Sequence, residues 1–251
     1  MRVAALYDIH GNLPALEAVL REIATADIDR LVVGGDVLAG PMPNETLACL
    51  LDLTIPVSFI RGNADREVLA QAAGDSPGTL PDHVRATVDW VAQQLPPAYL
   101  HLLAQWPPSV TADIPGLGSV LFCHATPRSD AELFTRITPQ EGLLPIFAGL
   151  GAAIVVCGHT HMQFDRTIGA TRVVNAGSVG MPYGEPGAYW LIVGETLEFR
   201  RTAYDRDQAA ARIRATTYPQ AADFAANNVL EIPSEEEALE VFTHMESAAS
   251  G

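Results

Sequence analysis

Long uninterrupted apolar stretches are absent from this sequence of 251 residues. No run approaches the roughly 18 apolar residues that a membrane-spanning helix needs. Met1-Arg2 also leads directly into a short apolar segment, without the pattern of a signal peptide. These observations predict a soluble, cytoplasmic protein that does not insert into membranes.

Cysteine is scarce as well. Cys49, Cys123 and Cys157 are odd in number, widely spaced and set in apolar surroundings. A disulfide framework requires paired cysteines, so this distribution argues against one. We expect all three to be reduced residues of the core.

Basic residues are few, because 15 arginines and no lysine stand against 30 aspartates and glutamates, which gives a formal net charge of -15. A surface this acidic repels long nucleic acids and anionic membranes. A polyanionic substrate would therefore need a local source of positive charge. Bound divalent cations would provide it, since they are often the largest charges in a site.

What the sequence does contain is a repeated order of apolar strand, polar turn and helix. Residues 3–7, 30–33 and 56–60 are short apolar segments, and each runs into a turn that contains glycine. This order is typical of α/β proteins with a parallel sheet. The turns after such strands lie together at one edge of the sheet, where ligands bind.

Further strands extend the predicted α/β domain to residues 1–203, and the last two of them would be joined by a tight hairpin at Gly194-Glu195. These strands are predicted at residues 119–122, 153–156, 172–180, 189–193 and 196–200. Between residues 67 and 117 the pattern becomes helical and loop-rich, which predicts a cap-like insertion beside the site.

The tail, residues 204–251, is predicted to be a helical extension that packs on the same domain or takes part in a homo-oligomer contact. Ser234 and Glu237 have the spacing of a capping box, as do Thr138 and Glu141. We therefore expect helices to begin at both places. The glutamates after Ser234 are expected to form a solvated face rather than a metal site.

Side chains suited to metal binding follow five of the predicted strands. They are Asp8 and His10, then Asp36, Asn63, His124, and finally His159 with His161. Four of the seven histidines lie at these turns, which is not expected of histidines scattered through a core. Taken alone, Asp8 and Asn12 could simply cap the following helix. Mixed nitrogen and oxygen donors without thiolate suit Mn, Fe, Zn, Co or Ni.

The order of these residues resembles that of the calcineurin-like metallophosphoesterase superfamily, and within it the small phosphodiesterases of the YfcE type. The superfamily pattern is D-x-H, G-D, G-N, a lone H and G-H-x-H. It occurs here as Asp8-Ile9-His10, Gly35-Asp36, Gly62-Asn63, His124 and Gly158-His159-Thr160-His161. The match covers residues 1 to about 200. It implies a four-layer α/β/β/α sandwich of two mixed sheets flanked by helices, with a helical cap insertion.

The resemblance also implies a binuclear metal centre in which one aspartate, Asp36, bridges two divalent transition metal ions. One ion would be bound by Asp8, His10, Asp36 and His161, and the other by Asp36, Asn63, His124 and His159. Manganese is the first expectation for these ions, with Fe, Zn, Ni or Co as alternatives. The implied reaction is hydrolysis of a phosphate ester by a metal-bridging hydroxide, with Asp36, Asn63 and His124 as catalytic residues.

Ala64 departs from the pattern of many superfamily members, which have a histidine directly after G-N that is proposed to protonate the leaving group. Without that acid, aryl phosphodiesters and phosphoanhydrides should be favoured over alkyl phosphomonoesters. This favours a phosphodiesterase acting on a small phosphorylated or nucleotide substrate. His83, His101 or Asp65 could also replace the missing acid, so a serine/threonine-type phosphomonoesterase remains an alternative.

Three arginines near the predicted turns, Arg61, Arg66 and Arg128, are candidates for substrate binding because a guanidinium can fork onto phosphate oxygens. Surface salt bridges are the alternative role for each. The segment Asn175-Ala176-Gly177-Ser178-Val179-Gly180 resembles the family's N-P-G-S-V-G loop and is expected to support the metal-bearing turns. A non-catalytic scaffold or a nucleotide sensor on the same fold is the rival to an enzyme.

Overall fold

Two five-stranded sheets pack face to face at the centre of the computed structural model, which describes residues 1–75 and 80–249. The strand order of the first sheet is β10-β9-β1-β2-β3. Its strands are β1 (Val3–Leu6), β2 (Arg30–Val33), β3 (Val57–Phe59), β9 (Ala188–Val193) and β10 (Leu197–Thr202). β1, β2 and β3 are parallel, whereas β9 and β10 run antiparallel to their neighbours.

The second sheet is also mixed, with the strand order β4-β5-β6-β8-β7. Its strands are β4 (Ser109–Ile114), β5 (Gly118–Cys123), β6 (Ile154–Cys157), β7 (Phe164–Ile168) and β8 (Thr171–Asn175). β5, β6 and β8 are parallel, and the edge strands β4 and β7 are antiparallel. With helices on the outer faces, the molecule is the predicted four-layer α/β/β/α sandwich.

Strand β1 shows how alternation along a strand builds these layers. Val3, Ala5 and Tyr7 face the second sheet, whereas Ala4 and Leu6 face the helices. Because successive side chains point to opposite faces of a strand, a wholly apolar segment suits a strand covered on both sides. The Tyr7 hydroxyl donates a hydrogen bond of 3.0 Å to the Val156 carbonyl across the sandwich.

Helices cover both outer faces of the sandwich. They are α1 (Leu13–Ile23), α2 (Pro43–Leu51), α3 (Asn63–Ala72), α4 (Asp82–Gln94), α5 (Pro97–Ala104), α6 (Gln140–Phe147), α7 (Arg206–Arg214), α8 (Ala221–Ala225) and α9 (Glu235–Ala249). Most of the buried helical residues pack on the first sheet, and α6 packs on the second. No helix within the described ranges is long and apolar enough to cross a bilayer.

Helices fill the first part of the segment predicted as an insertion, residues 67–117. Its helices end at Ala104, and β4 then joins the second sheet beside β5. Trp106, directly after α5, is buried and stacks on Phe59 of β3 with ring centroids 4.6 Å apart. Residues 76–79 of this segment and residues 250–251 of the tail lie outside the described part.

The two predicted capping boxes had different outcomes. Ser234 accepts from the backbone N–H of Glu237, and the Glu237 carboxylate accepts from the Ser234 backbone, as predicted. Helix α6 begins at Gln140, as the spacing of Thr138 and Glu141 predicted, but Thr138 does not form the capping box, because its hydroxyl donates to Glu246 of α9 and no side chain caps α6. A tertiary partner has therefore replaced the local one.

The tail packs on the helical side of the first sheet. Ala210 and Ile213 of α7 and Phe224 of α8 are buried in the same cluster as α1 and β1. At the rim, Arg212 donates to both carboxylate oxygens of Glu17 at 2.6 and 2.9 Å. The three cysteines are free thiols, and Cys123 and Cys157 are buried.

The packing of the tail can be tested at Ile213, which is fully buried. Replacing Ile213 with alanine should lower the free energy of unfolding by about 2–5 kcal/mol, because it leaves a cavity between α7 and the core. Arg214→Ala, at an exposed position of the same helix, should change it by less than about 0.5 kcal/mol. Equal effects in urea unfolding would show that α7 does not pack on the domain.

Candidate metal centre

The ligand-type residues predicted from the sequence all lie at one edge of the sandwich. Asp8, His10 and Asp36 follow β1 and β2, Asn63 begins α3 after β3, and the three histidines of the second half follow β5 and β6. Both sheets therefore contribute, each from the carboxyl ends of its parallel strands. This is the edge at which α/β proteins bind ligands.

Asp8, His10 and His161 form the first of two groups that could hold a metal ion. Nε2 of His161 lies 3.3 Å from Asp8 Oδ1 and 3.3 Å from Nε2 of His10. The Asp8 oxygen is buried, and no hydrogen-bond donor reaches it. A buried carboxylate oxygen surrounded by imidazole nitrogens is the environment that a divalent cation satisfies.

Asp36, His124 and His159 form the second group. Nε2 of His124 lies 3.4 Å from Asp36 Oδ2. The side-chain amide of Asn63 approaches Nε2 of His124 at 3.2 Å and Nδ1 of His159 at 3.0 Å. The amide nitrogen could donate to both rings at this position, whereas its oxygen there would add a fourth donor atom for a cation to those of Asp36, His124 and His159.

Asp36, a member of the second group, also lies close to the first group. Its Oδ2 atom is 3.8 Å from Nε2 of His10 in the first group and 3.4 Å from Nε2 of His124 in the second. Its other oxygen, Oδ1, accepts from the Ala64 backbone N–H at 2.9 Å. One oxygen is thus fixed by the backbone, and the other lies close to an imidazole nitrogen of each group.

Backbone carbonyls set the orientation of three of the four histidine rings. Nδ1 of His10 lies 3.1 Å from the Ala39 carbonyl, Nδ1 of His124 lies 2.9 Å from that of Gly34, and Nδ1 of His161 lies 2.7 Å from that of Met181. These contacts place the proton on Nδ1 and leave Nε2 as a lone-pair donor toward the centre. The three carbonyls thereby fix both the direction of each ring and its tautomer.

A strained backbone presents these side chains. Among the described residues, the non-glycine positions with positive φ are all predicted ligands: Asp8 at 53°, His10 at 48°, Asp36 at 51°, His159 at 68° and His161 at 59°. Such angles are uncommon in residues with a Cβ atom and occur mostly at functional sites. Backbone hydrogen bonds between the first two turns hold Asp8 and His10, whose N–H groups donate to the Gly35 carbonyl at 3.1 Å and to the Asp36 carbonyl at 2.9 Å.

Two of the four histidine rings differ widely in pKa because of their surroundings. Burial lowers the pKa of His159 to about 4, and the neighbouring His124 adds to the effect. Burial also opposes a charge on His124, but the carboxylate of Asp36 beside it raises the pKa of His124 to about 10. A cation that binds here must displace the proton from His124, so metal affinity should fall at low pH.

Asp65 organises the site, a role that the sequence analysis did not assign to it. Its buried carboxylate accepts backbone N–H groups of Asp36 at 2.8 Å, of Val37 at 3.1 Å and of Gly62 at 3.1 Å. Burial, together with the nearby Asp36, raises the pKa of Asp65 to about 7. The carboxylate binds the turns after β2 and β3 to each other, and its spacing of three residues after Gly62 was the available signal.

The loop after β8 supports the turns as expected. Asn175 donates to the Gly158 carbonyl at 2.6 Å, and the Ser178 hydroxyl donates to the Asp8 carbonyl at 2.8 Å. Ala176, where the family usually has proline, donates its backbone N–H to the Cys157 carbonyl at 2.8 Å. Proline has no N–H, so this hydrogen bond depends on the departure from the family pattern.

Two of the three predicted substrate-binding arginines have carboxylate partners. Arg66 forms a two-point contact with Asp130 at 2.8 and 3.1 Å, and Arg128 pairs with Glu132. Arg61 is half-buried, and its backbone N–H donates to the Pro107 carbonyl. Binding of a phosphate by Arg66 or Arg128 would require exchange of these carboxylates, and their predicted role stays a prediction.

A family model describes residues 1–196 as a calcineurin-like phosphoesterase superfamily domain. The chain belongs to the calcineurin-like phosphoesterase superfamily. Divalent metal ions are implied for a metallophosphoesterase, which agrees with the two groups of residues that could hold a metal ion.

One relative in sequence and two solved structures illustrate the likeness. An uncharacterized protein of Methanocaldococcus jannaschii is 28% identical over 238 residues, which cover 87% of this chain and 94% of that protein. A hypothetical protein of Pyrococcus horikoshii has a TM-score of 0.80 at 21% identity, with 93% of this chain and 99% of that one covered. The phosphoesterase Yfce of E. coli has a TM-score of 0.50 at 21% identity, with 81% and 99% covered.

Metal content can be measured against a matched histidine control. We expect wild-type protein reconstituted with Mn²⁺ to retain about two equivalents by mass spectrometry, and His124→Ala to retain about one, because the second group loses a nitrogen donor. His101→Ala removes an exposed histidine of α5 and should retain both. Full occupancy in His124→Ala would remove His124 from the ligand set.

Proposed function

We propose that this chain is a binuclear-metal-dependent phosphodiesterase that hydrolyses aryl or nucleotide phosphodiester or phosphoanhydride bonds. The observation that carries the proposal is Asp36, whose Oδ2 atom is directed at both groups of ligands. Superfamily membership supports hydrolysis of a phosphate ester. The two proposed ions are transition metals, with manganese first and Fe, Zn, Ni or Co as alternatives, because the ligands are imidazole nitrogens and oxygens.

Bound divalent cations would supply charge stabilisation to the phosphoryl oxygens and a nucleophile from water near neutral pH. The chain's own residues hold and orient this centre. Asp8 accepts the His159 backbone N–H at 2.8 Å through Oδ2, which leaves Oδ1 facing the first group. Asp36 is held in the same way by Ala64. Side chains fixed before substrate binds need no reorganisation during the reaction.

The preference for a diester over an alkyl monoester rests on Ala64, which offers no side-chain proton beside Asn63. Of the three replacements considered, Asp65 is buried against backbone N–H groups, His101 is exposed on α5, and His83 lines the cleft beside the metal centre. A leaving group that departs as a stabilised anion needs no acid. Aryl phosphodiesters meet this condition.

The alternatives differ in what they require of the centre. A serine/threonine-type phosphomonoesterase would use His83 to protonate an alkoxide. A non-catalytic scaffold or a slow nucleotide sensor would retain the fold without rapid turnover. We further propose a cytoplasmic location and a small phosphorylated or nucleotide substrate. The net charge of -15 supports the proposal that no long nucleic acid binds.

The leaving group can be varied directly. We expect kcat/KM for bis(p-nitrophenyl) phosphate to exceed that for phosphoserine by at least about 100-fold with Mn²⁺, because phenolate leaves without a proton and a serine alkoxide does not. Similar values would show that an acid acts in place of the missing histidine. His83→Ala should then abolish phosphoserine hydrolysis selectively.

The scaffold alternative can be tested at Asp36. Asp36→Asn keeps the shape of the side chain but removes the bridging charge, and we expect kcat/KM for the aryl diester to fall by at least about 100-fold with the fold retained by circular dichroism. Asp113→Asn, at an exposed position of β4, is the control for loss of one negative charge. Equal activity of the two variants would rule out Asp36 as a bridging ligand.

A further inference from the structure

A cleft of about 400 Å³ opens beside the metal centre. Its inner side is formed by His10, Asp36 and Asn63, the last residue being the first of α3. A different depression of about 580 Å³ lies at the amino edge of the first sheet, and no histidine is among its described lining residues. The cleft beside the metal centre is therefore the place where a substrate on the metals would extend.

The outer wall of this cleft comes from the carboxyl-terminal extension, outside the segment that the family model matches. The wall residues are Tyr218, Gln220, Asp223, Phe224, Asn227 and Asn228. The family segment thus supplies the predicted metal ligands, and the extension supplies the surface that faces them.

Hydrogen bonds and ring contacts fix this wall in place. Gln220 donates to the His83 carbonyl of α4 at 2.8 Å, and Tyr218 packs edge-on against Trp90 of α4 with ring centroids 5.4 Å apart. Asn227 and Asn228 lie in a π-helical turn, Ala226–Leu230, closed by Glu231 N–H to the Ala226 carbonyl at 2.7 Å. Single π-helical turns are frequent at functional sites.

The chemistry of the wall is neutral and acidic rather than basic. The chain has no lysine, and among the described lining residues there is no arginine, whereas Glu67 and Asp223 are both present. A substituent that carries further phosphates would meet these carboxylates without a cation of the chain. Amide side chains instead pair with hydroxyl groups and base edges, and the rings of Tyr218 and Phe224 offer apolar surface.

We propose that the wall formed by the carboxyl-terminal extension binds a nucleoside substituent of the phosphodiester, which is held by the amides of Asn227 and Asn228. This inference rests on the proposed phosphodiesterase function and narrows its substrate class. Nucleoside phosphodiesters become the preferred substrates, and compounds with a chain of additional phosphates become poor ones.

Two substrates with the same leaving group test the inference. The p-nitrophenyl ester of thymidine 5′-phosphate and methyl p-nitrophenyl phosphate both release p-nitrophenolate from a diester with one charge, and they differ in the nucleoside. We expect the Mn²⁺-loaded protein to favour the thymidine ester in kcat/KM by at least about tenfold, mainly through KM, because hydrogen bonds and ring contact hold the nucleoside. Diadenosine tetraphosphate should have a lower kcat/KM than the thymidine ester.

Variants locate the preference on the wall. Asn227→Ala and Asn228→Ala should each lower the ratio of the two kcat/KM values by roughly 3- to 10-fold, the effect of one lost hydrogen bond. Gln208→Ala removes an exposed amide of α7 outside the cleft and should leave the ratio at its wild-type value. Circular dichroism confirms that the variants are folded.

The possible failures are distinguishable. Hydrolysis of both esters with a ratio near one, or a ratio that neither asparagine variant lowers, would overturn the inference and leave the proposed function standing. A preference for diadenosine tetraphosphate would overturn the argument from charge. No hydrolysis of either ester by metal-loaded protein would overturn the proposed function and, with it, the inference.

Discussion

The constraint on which the rest of this structure depends is the left-handed backbone at five of the predicted ligands. Each such residue costs about 1–3 kcal/mol, against a total stability of about 5–15 kcal/mol for a typical domain. Asp8 and His10 remain in this conformation because their N–H groups donate to the Gly35 and Asp36 carbonyls across neighbouring turns. In the sequence, the parallel strands are recognisable mainly as apolar segments. Whether these hydrogen bonds between the turns form depends on the register of the strands.

The sequence was sufficient to predict structural elements wherever the pattern lay in neighbouring residues. The apolar segments before Asp8 and Asp36 predicted strands with ligand-bearing turns, and the superfamily resemblance supplied the four-layer arrangement. The helix predicted after Thr138 is present, but Thr138 does not cap it, because its hydroxyl has a distant partner, Glu246, which no local spacing reveals. The wall containing Asn227 could not be predicted for the same reason, since its position opposite the metal centre depends on how the tail packs against α4. Contacts between residues so far apart in the sequence produce no periodic pattern from which they could be predicted.

The acidic composition of the chain is consistent with the proposed chemistry, because metal ions and neutral amides would bind different parts of the substrate. A protein with a formal charge of -15 and no lysine has few groups with which to attract a phosphate. Arg66, near the centre, is already paired with Asp130. Divalent cations held by Asp8 and Asp36 would therefore be the principal attraction for the anionic phosphorus centre, and the neutral amides of the extension would act on the remainder of the substrate.

The predicted ligands come from both halves of the sandwich: Asp8, His10, Asp36 and Asn63 follow strands of one sheet, and His124, His159 and His161 follow strands of the other. A centre of this kind is a cross-link at one end of an otherwise apolar interface. Shear of one sheet over the other would separate the two halves of each ligand set. Metal affinity would then be coupled to the stability of the packing between the sheets. A substitution deep between the sheets, far from any predicted ligand, would therefore also lower the affinity for the metals.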